Sequence, residues 1–178
     1  MSSPSDSNSG GVNIRAGRYF IAKAVGTCGY CRASTRLIAL ALPSEHETLW
    51  MDSEAECEAA AQDIWERASG NAFVFFVGYL PDAVQRRLGK ISKLYRVAHS
   101  AKAAGSYWAN HCEQCGSLLD DQDLFCEPGG AFLPVSPESA AEVTLVRVEE
   151  GIEAAAAGYA YHPQFFDSMV EEPWPSIS

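Results

Sequence analysis

The sequence predicts an α+β fold: an antiparallel β core tied by two cysteine turns, with a helix-containing lobe inserted between them. Three observations carry this expectation. Two Cys-x-x-Cys turns, at Cys28–Cys31 and Cys112–Cys115, stand about 80 residues apart. Runs such as RYFIAKAV (18–25), TRLIALAL (35–42) and AFVFFVGYL (72–80) have the length and β-branched or aromatic content of strands. Between the turns, Ser53-x-x-Glu56 matches a capping box and is followed by Cys57, Ala60, Ala61, Ile64, Trp65 and Ala68 at helical spacing.

Residues 1–13 are small and polar and read as a floppy tail. The strand over 18–25 leads into a tight turn at Gly26–Gly29, and 35–42 returns as its partner until Pro43. The capped helix is expected to end at Gly70. The run 72–80 is apolar on both faces, as in a buried central strand. Pro81-Asp82 opens a short helix through Leu88 that stops at Gly89. Short strands are expected over 91–98, 106–110 and 143–148, with a turn at Glu127-Pro128-Gly129-Gly130. Residues 149–160 contain four consecutive alanines and read as helical. The terminal EEPWPSIS reads as loosely attached. The domain reading is a core over 14–136, with 44–105 inserted between the cysteine turns, followed by a C-terminal segment over 137–178.

Apolar residues make up 47% of the 178-residue chain and charged residues 20%, which excludes a disordered protein. No run approaches the ~18 apolar residues that span a bilayer, and the Ser-rich start lacks a basic and apolar secretion signal. The expected compartment is therefore the cytoplasm, where six cysteines serve metal or redox chemistry rather than disulfides. The net charge of −10 argues against a generally basic, nucleic-acid-coating surface. The charge is strongly divided, however. Residues 1–43 hold five basic residues and one acid, and residues 83–112 hold six basic residues and no acid. Residues 44–66 carry eight acids and no base, and residues 113–150 carry nine acids against Arg147.

Two Cys-x-x-Cys turns can direct four sulfurs at one ion, completing a tetrahedral site with Zn–S distances of about 2.3 Å. Cys28, Cys31, Cys112 and Cys115 are thus the candidate metal ligands, with Gly116 suited to the positive-φ position that follows such a turn. Zinc is the expected ion, and iron in an Fe(Cys)₄ site fits the same spacing. Cys-Gly-Tyr-Cys also matches a thioredoxin-type dithiol, although 35–42 reads as a strand rather than the helix that activates such a thiol. A catalytic zinc keeps an open coordination position, which four cysteines do not leave. His111-Cys112-Glu113 lacks the second motif of a zinc deaminase. Cys57 reads as a buried small hydrophobe and Cys126 as a partly exposed free thiol. His111 reads as a hydrogen-bonding neighbour of the site or a solvated residue, and Asp120, Asp121 and Asp123 as a solvated turn.

The two turns resemble those of a zinc ribbon, in which two β-hairpin knuckles hold one zinc. The stretch SYWANHCEQCGSLLDDQDLFCEPGGAFLP (106–134) is similar to a segment of small bacterial zinc-ribbon proteins, where a YWAN strand leads into Cys-x-x-Cys-Gly and an EPGG-aromatic turn follows. The resemblance covers about 30 residues plus the upstream turn, and it implies a metal site at the four cysteines. A single ion joining both knuckles would gather Arg32 and Arg36 with Arg86, Arg87, Lys90, Lys93, Arg96 and Lys102. Phe20, Tyr30, Tyr95, Tyr107 and Trp108 are interleaved with them. Basic charge with aromatics is the footprint of a nucleic-acid platform. The competing reading, of similar weight, makes Tyr107 and Trp108 the core of the cysteine turn and pairs the basic charges with the acidic 44–66 segment. The expected function is a noncatalytic structural-zinc protein acting as a nucleic-acid-associated or regulatory adaptor. A protein-interaction module with acidic surfaces and a dithiol oxidoreductase stand as alternatives.

Overall fold

The computed structural model describes residues 11–50 and 64–175. Its strands are β1 (Ile14–Ala16), β2 (Tyr19–Thr27), β3 (Ser34–Leu42), β4 (Glu47–Trp50), β5 (Ile64–Arg67) and β6 (Ala72–Tyr79). They continue as β7 (Tyr95–Ser100), β8 (Gly105–His111), β9 (Leu118–Leu119), β10 (Thr144–Val148), β11 (Ile152–Tyr161) and β12 (Val170–Pro173). Helices α1 (Asp82–Ile91) and α2 (Pro137–Ala140) complete an α+β fold built on a large, mainly antiparallel sheet. The strand path is β12-β10-β2-β3-β6-β11-β1-β4-β5, with β8 branching from β6.

Alternation along β2 and β3 explains why both are nearly continuously apolar. Phe20, Ala22 and Ala24 with Leu37, Ala39 and Ala41 enter one core. Tyr19 and Ile21 with Ile38, Leu40 and Leu42 enter a second core, on the other sheet face, closed by Val84 and Leu88 of α1. A sheet covered on both sides needs apolar residues in both phases of its period-2 pattern. The first core is aromatic. Phe125 stacks on Phe75 and Phe132 at centroid separations of 4.8 and 5.0 Å. The 127–130 turn brings Phe132 there, and only glycine fits at 130: a Cβ would lie 2.5 Å from the Asp123 carbonyl oxygen.

The architecture that positions the site is a branch point on β6. Val74 pairs with Leu40 of β3, whereas Val77 pairs with Trp108 of β8 on the same edge. Between them Phe76 takes φ +48°, in the left-handed region, and just beyond, at Gly78, the register with β11 shifts between Ala155 and Ala156. This kink ends the pairing with β3 and begins the pairing with β8. The first half of β3 and the last half of β8 consequently lie side by side without a backbone ladder.

Several expectations are corrected. Residues 64–67 form strand β5 paired with β4, not the end of a capped helix; the capping box at 53–56 lies outside the described residues. The alanine run is strand β11, paired with β6 and β1, because cross-strand pairing overrides helix propensity. Small residues are needed there: a Cβ on Gly158 would stand 2.2 Å from the Phe75 ring. Helix α1 runs through Gly89 to Ile91 and stops where Ser92 turns extended, its N–H reaching the Leu88 carbonyl at 2.9 Å. The strand expected over 91–98 is therefore shifted to β7. The C-terminal stretch is also held: β12 pairs in parallel with β10, and the Trp174 N–H donates to the Arg147 carbonyl at 3.0 Å. β10 and β11 both enter the same sheet as the 14–136 strands.

Candidate metal centre

The turn joining β2 to β3 carries Cys28 and Cys31, and the turn joining β8 to β9 carries Cys112 and Cys115. The two turns repeat one hydrogen-bond pattern. The N–H of Cys28 donates to the Ala33 carbonyl and that of Arg32 to the Cys28 carbonyl, at 2.9 and 3.0 Å. In the second turn, Cys112 donates to Ser117 and Gly116 to Cys112, again at 2.9 and 3.0 Å. In each, the N–H two residues on points at the first sulfur, from Tyr30 to Cys28 Sγ and from Gln114 to Cys112 Sγ, both at 3.4 Å. Arg32 (φ +65°) and Gly116 (φ +73°) occupy the same left-handed position.

The four sulfurs lie within 4.8 Å of one another. The closest approaches run between turns, at 3.7 Å for Cys28–Cys115 and 3.6 Å for Cys31–Cys112. A tetrahedron with metal–sulfur bonds of about 2.3 Å has edges of about 3.8 Å, so the sulfurs fit a single tetrathiolate-bound ion. Cys28 and Cys112 are buried, and Cys31 and Cys115 are exposed. The donor set is soft and fully occupied by protein, which suits a structural ion.

The fit is built by contacts that replace the missing β3–β8 ladder. Asn110, buried on β8, accepts the Ile38 N–H and donates to the Ile38 carbonyl, both at 2.8 Å. Nearer the sulfurs, Thr35 Oγ1 accepts the Glu113 N–H at 3.1 Å. Glu113 in turn accepts the Arg36 N–H at 3.1 Å and Arg36 Nε at 2.7 Å, which holds its carboxyl below the usual range. Asn110, Thr35, Glu113 and Ser117 were missed in the sequence reading. Asn110 had one signal, a polar residue within the strand YWAN.

The electrostatics of the turns differ. Ser117 Oγ lies 3.2 Å from Cys115 Sγ; its hydroxyl, then its amide, draw the Cys115 thiol down to about 6. The amides of Cys115 and Gln114 lower Cys112. The Ala33 amide acts the same way on Cys31, but desolvation and the three other sulfurs outweigh it and push that thiol up to about 11. The second turn therefore favours its thiolates, whereas the surroundings of Cys31 oppose one there.

His111 is not among the sulfurs: its buried ring donates from Nδ1 to the backbone carbonyls of Leu94 and Ala109, at 3.0 and 3.1 Å. Asp120 and Asp121 are buried, correcting the solvated turn. Asp120 accepts from Ser100 Oγ at 2.7 Å. Asp121 Oδ2 accepts the N–H of the kinked Phe76 at 2.8 Å, while its Oδ1 has no partner among the described residues. Burial, against the pull of the Phe76 amide, pushes its carboxyl up to about 7. His46 hydrogen-bonds the Pro43 carbonyl and Tyr159 hydroxyl, both at 2.6 Å. Cys126 is exposed, and Cys57 lies outside the described residues.

The expected basic platform is only partly assembled. Arg36 pairs with Glu113, Arg87 with Glu150 and Lys102 with Asp123. Arg32, Arg86, Lys90, Lys93 and Arg96 are exposed and make no ion pair among the described residues. The aromatic half is corrected. Phe20, Tyr95 and Tyr107 are core residues, and half-buried Trp108 packs on Tyr95; Tyr30 alone of the five is exposed, at 75%. No family model, curated protein or solved structure matches this chain. Among the described residues no helix is long and apolar enough to cross a membrane.

Proposed function

We propose that the protein is a noncatalytic structural-zinc protein, of the zinc-ribbon kind its turns resemble, in which the ion staples the β2–β3 hairpin to β8 and β9. The observation that carries this reading is the convergence of four sulfurs from two matching turns within 4.8 Å. Zinc is favoured by an all-thiolate set with no open position. The dithiol alternative is disfavoured because each sulfur's close neighbour belongs to the opposite turn. Metal analysis of the purified chain, with a thiol count before and after chelation, tests the reading. One zinc per chain and four thiols freed by chelation are expected. Stoichiometric iron changes the ion, and a folded metal-free chain with a reactive Cys28 returns the oxidoreductase.

The finer reading is a nucleic-acid-associated or regulatory adaptor. Its support is the exposed set Arg86, Lys90, Lys93 and Arg96 on α1 and just beyond, without acidic partners among the described residues. Phosphate contacts through these residues would make binding fall steeply with salt. Reversal of Lys90, Lys93 and Arg96 to glutamate would then abolish oligonucleotide retention at low salt. Retention that survives the reversal removes this reading, and capture of a protein partner instead favours the interaction module.

A further inference from the structure

We propose that the cleft beside the second cysteine turn binds a small organic anion through Lys23 and Lys93. The cleft measures about 740 Å³, within the range of small-molecule sites. It exists because the sheet outruns its helix. On this face of β2, Tyr19 and Ile21 lie in the core beneath α1, and the next residue in the same phase is Lys23. Helix α1 ends at Ile91, so the sheet beyond is left open. Lys23 stands on an interior strand, opposite Ile38 of β3 and Thr144 of β10.

The lining has two chemical halves. Ile38, Ile91 and Leu94 give an apolar wall. Lys23, Arg36 and Lys93 come from β2, β3 and the α1–β7 connection, and the lining acids are Glu113 and Glu142. Glu113 is already committed to the Arg36 side chain and amide. Lys23 and Lys93 have no ion pair among the described residues. In a chain of net charge −10, two lysines without an ion pair among the described residues line an apolar-walled cleft in which Glu142 is the one acid not committed to Arg36, and such a lining attracts an anion. A carboxylate or phosphate headgroup takes charge-assisted hydrogen bonds from the two lysines, and an apolar body lies on the isoleucine–leucine wall. The oligonucleotide reading shares Lys93 but rests otherwise on Arg86, Lys90 and Arg96, whereas this site requires Lys23 and an apolar group on the ligand.

The test is an amide-shift titration of the full, metal-loaded chain with phenyl phosphate, using inorganic phosphate and benzyl alcohol as half-ligands. Saturable shifts at Lys23–Val25 and Lys93–Leu94 are expected, with phenyl phosphate binding tighter than either half. Lys23→Gln and Lys93→Gln should each weaken it about tenfold, the scale of one charge-assisted hydrogen bond. Lys102→Gln, whose lysine pairs with Asp123, should leave it unchanged. Lys93 is exposed in a connection, so its variant keeps the test open should Lys23→Gln fail to fold. Absence of saturable shifts, equal binding by benzyl alcohol, or undiminished affinity in Lys93→Gln would overturn the proposal. Metal content, read on the same samples, separates its failure from that of the structural-zinc reading.

Discussion

The two cysteine turns share one backbone and differ in two side chains that matter to it. At the left-handed position the second turn has Gly116 and the first has Arg32. One residue later the second has Ser117 beside its outer sulfur and the first has Ala33. A Cβ disfavours the left-handed conformation by about 1–2 kcal/mol, so the second turn is built by its local sequence. The first adopts the same conformation with a side chain that disfavours it. The hydroxyl of Ser117 makes Cys115 the readier thiolate, whereas Cys31 gains no such donor. The second turn is in this sense the better suited of the two, by its own residues, to the shared backbone and to a thiolate.

The largest effect should come from breaking both turns at once. Removing the ion, or Cys28→Ser or Cys112→Ser, should eliminate stabilisation on the order of 10 kcal/mol. Thermal unfolding with and without chelator reads this directly. A melting curve indifferent to chelation would mean that neither turn depends on metal.

A second contrast lies downstream: β3 leaves the first turn into apolar core, whereas β9 leaves the second into Asp120 and Asp121. The Asp121 carboxyl titrates near 3.8 when unfolded and at about 7 when folded. Below pH 4 both states carry the proton and no penalty arises. As pH rises towards 7 the unfolded chain releases its proton first, so the fold loses stability, and above 7 the loss is constant. Asp121→Asn keeps an acceptor for the Phe76 N–H without this penalty. Its melting temperature relative to wild type should climb by about 10 °C between pH 4 and 7.5, and a difference flat across that range would refute an elevated carboxyl.

Smaller effects of opposite sign should follow at the matched left-handed positions. Gly116→Ala should destabilise by about 1 kcal/mol and Arg32→Gly should stabilise by a similar amount. No atom lies within 4 Å of a Cβ on Gly116, so denaturant midpoints would report backbone conformation alone. Equal signs would show that the turns are not equivalent. The smallest change is expected at the next residue: Ser117→Ala should weaken metal retention about tenfold, and Ala33→Ser should strengthen it by less, as measured by competition with a chromogenic chelator.

The strands flanking the first turn and the metal-ligand candidates were legible in the sequence because their signals are local: apolar runs of strand length, and cysteines at fixed spacing. Errors fell where distant partners decided. Ile64–Arg67 and the alanine run of β11 carry helical signals, yet β4, β6 and β1 supply the hydrogen bonds that make them strands. Asp121 looked like a turn residue because nothing in DDQD announces that the N–H of Phe76, 45 residues away, requires an acceptor.

The sequence by itself determined the four candidate ligand cysteines, the left-handed glycine of the second turn and the strands flanking the first, since each depends on residues a few positions apart. Only the tertiary structure decided that β6 changes partner at Phe76, that Asn110 stands in for the absent ladder, and that three of the eight basic residues are matched by acids. Those outcomes depend on which groups meet across dozens of residues. Backbone groups removed from water must find partners wherever the chain brings them.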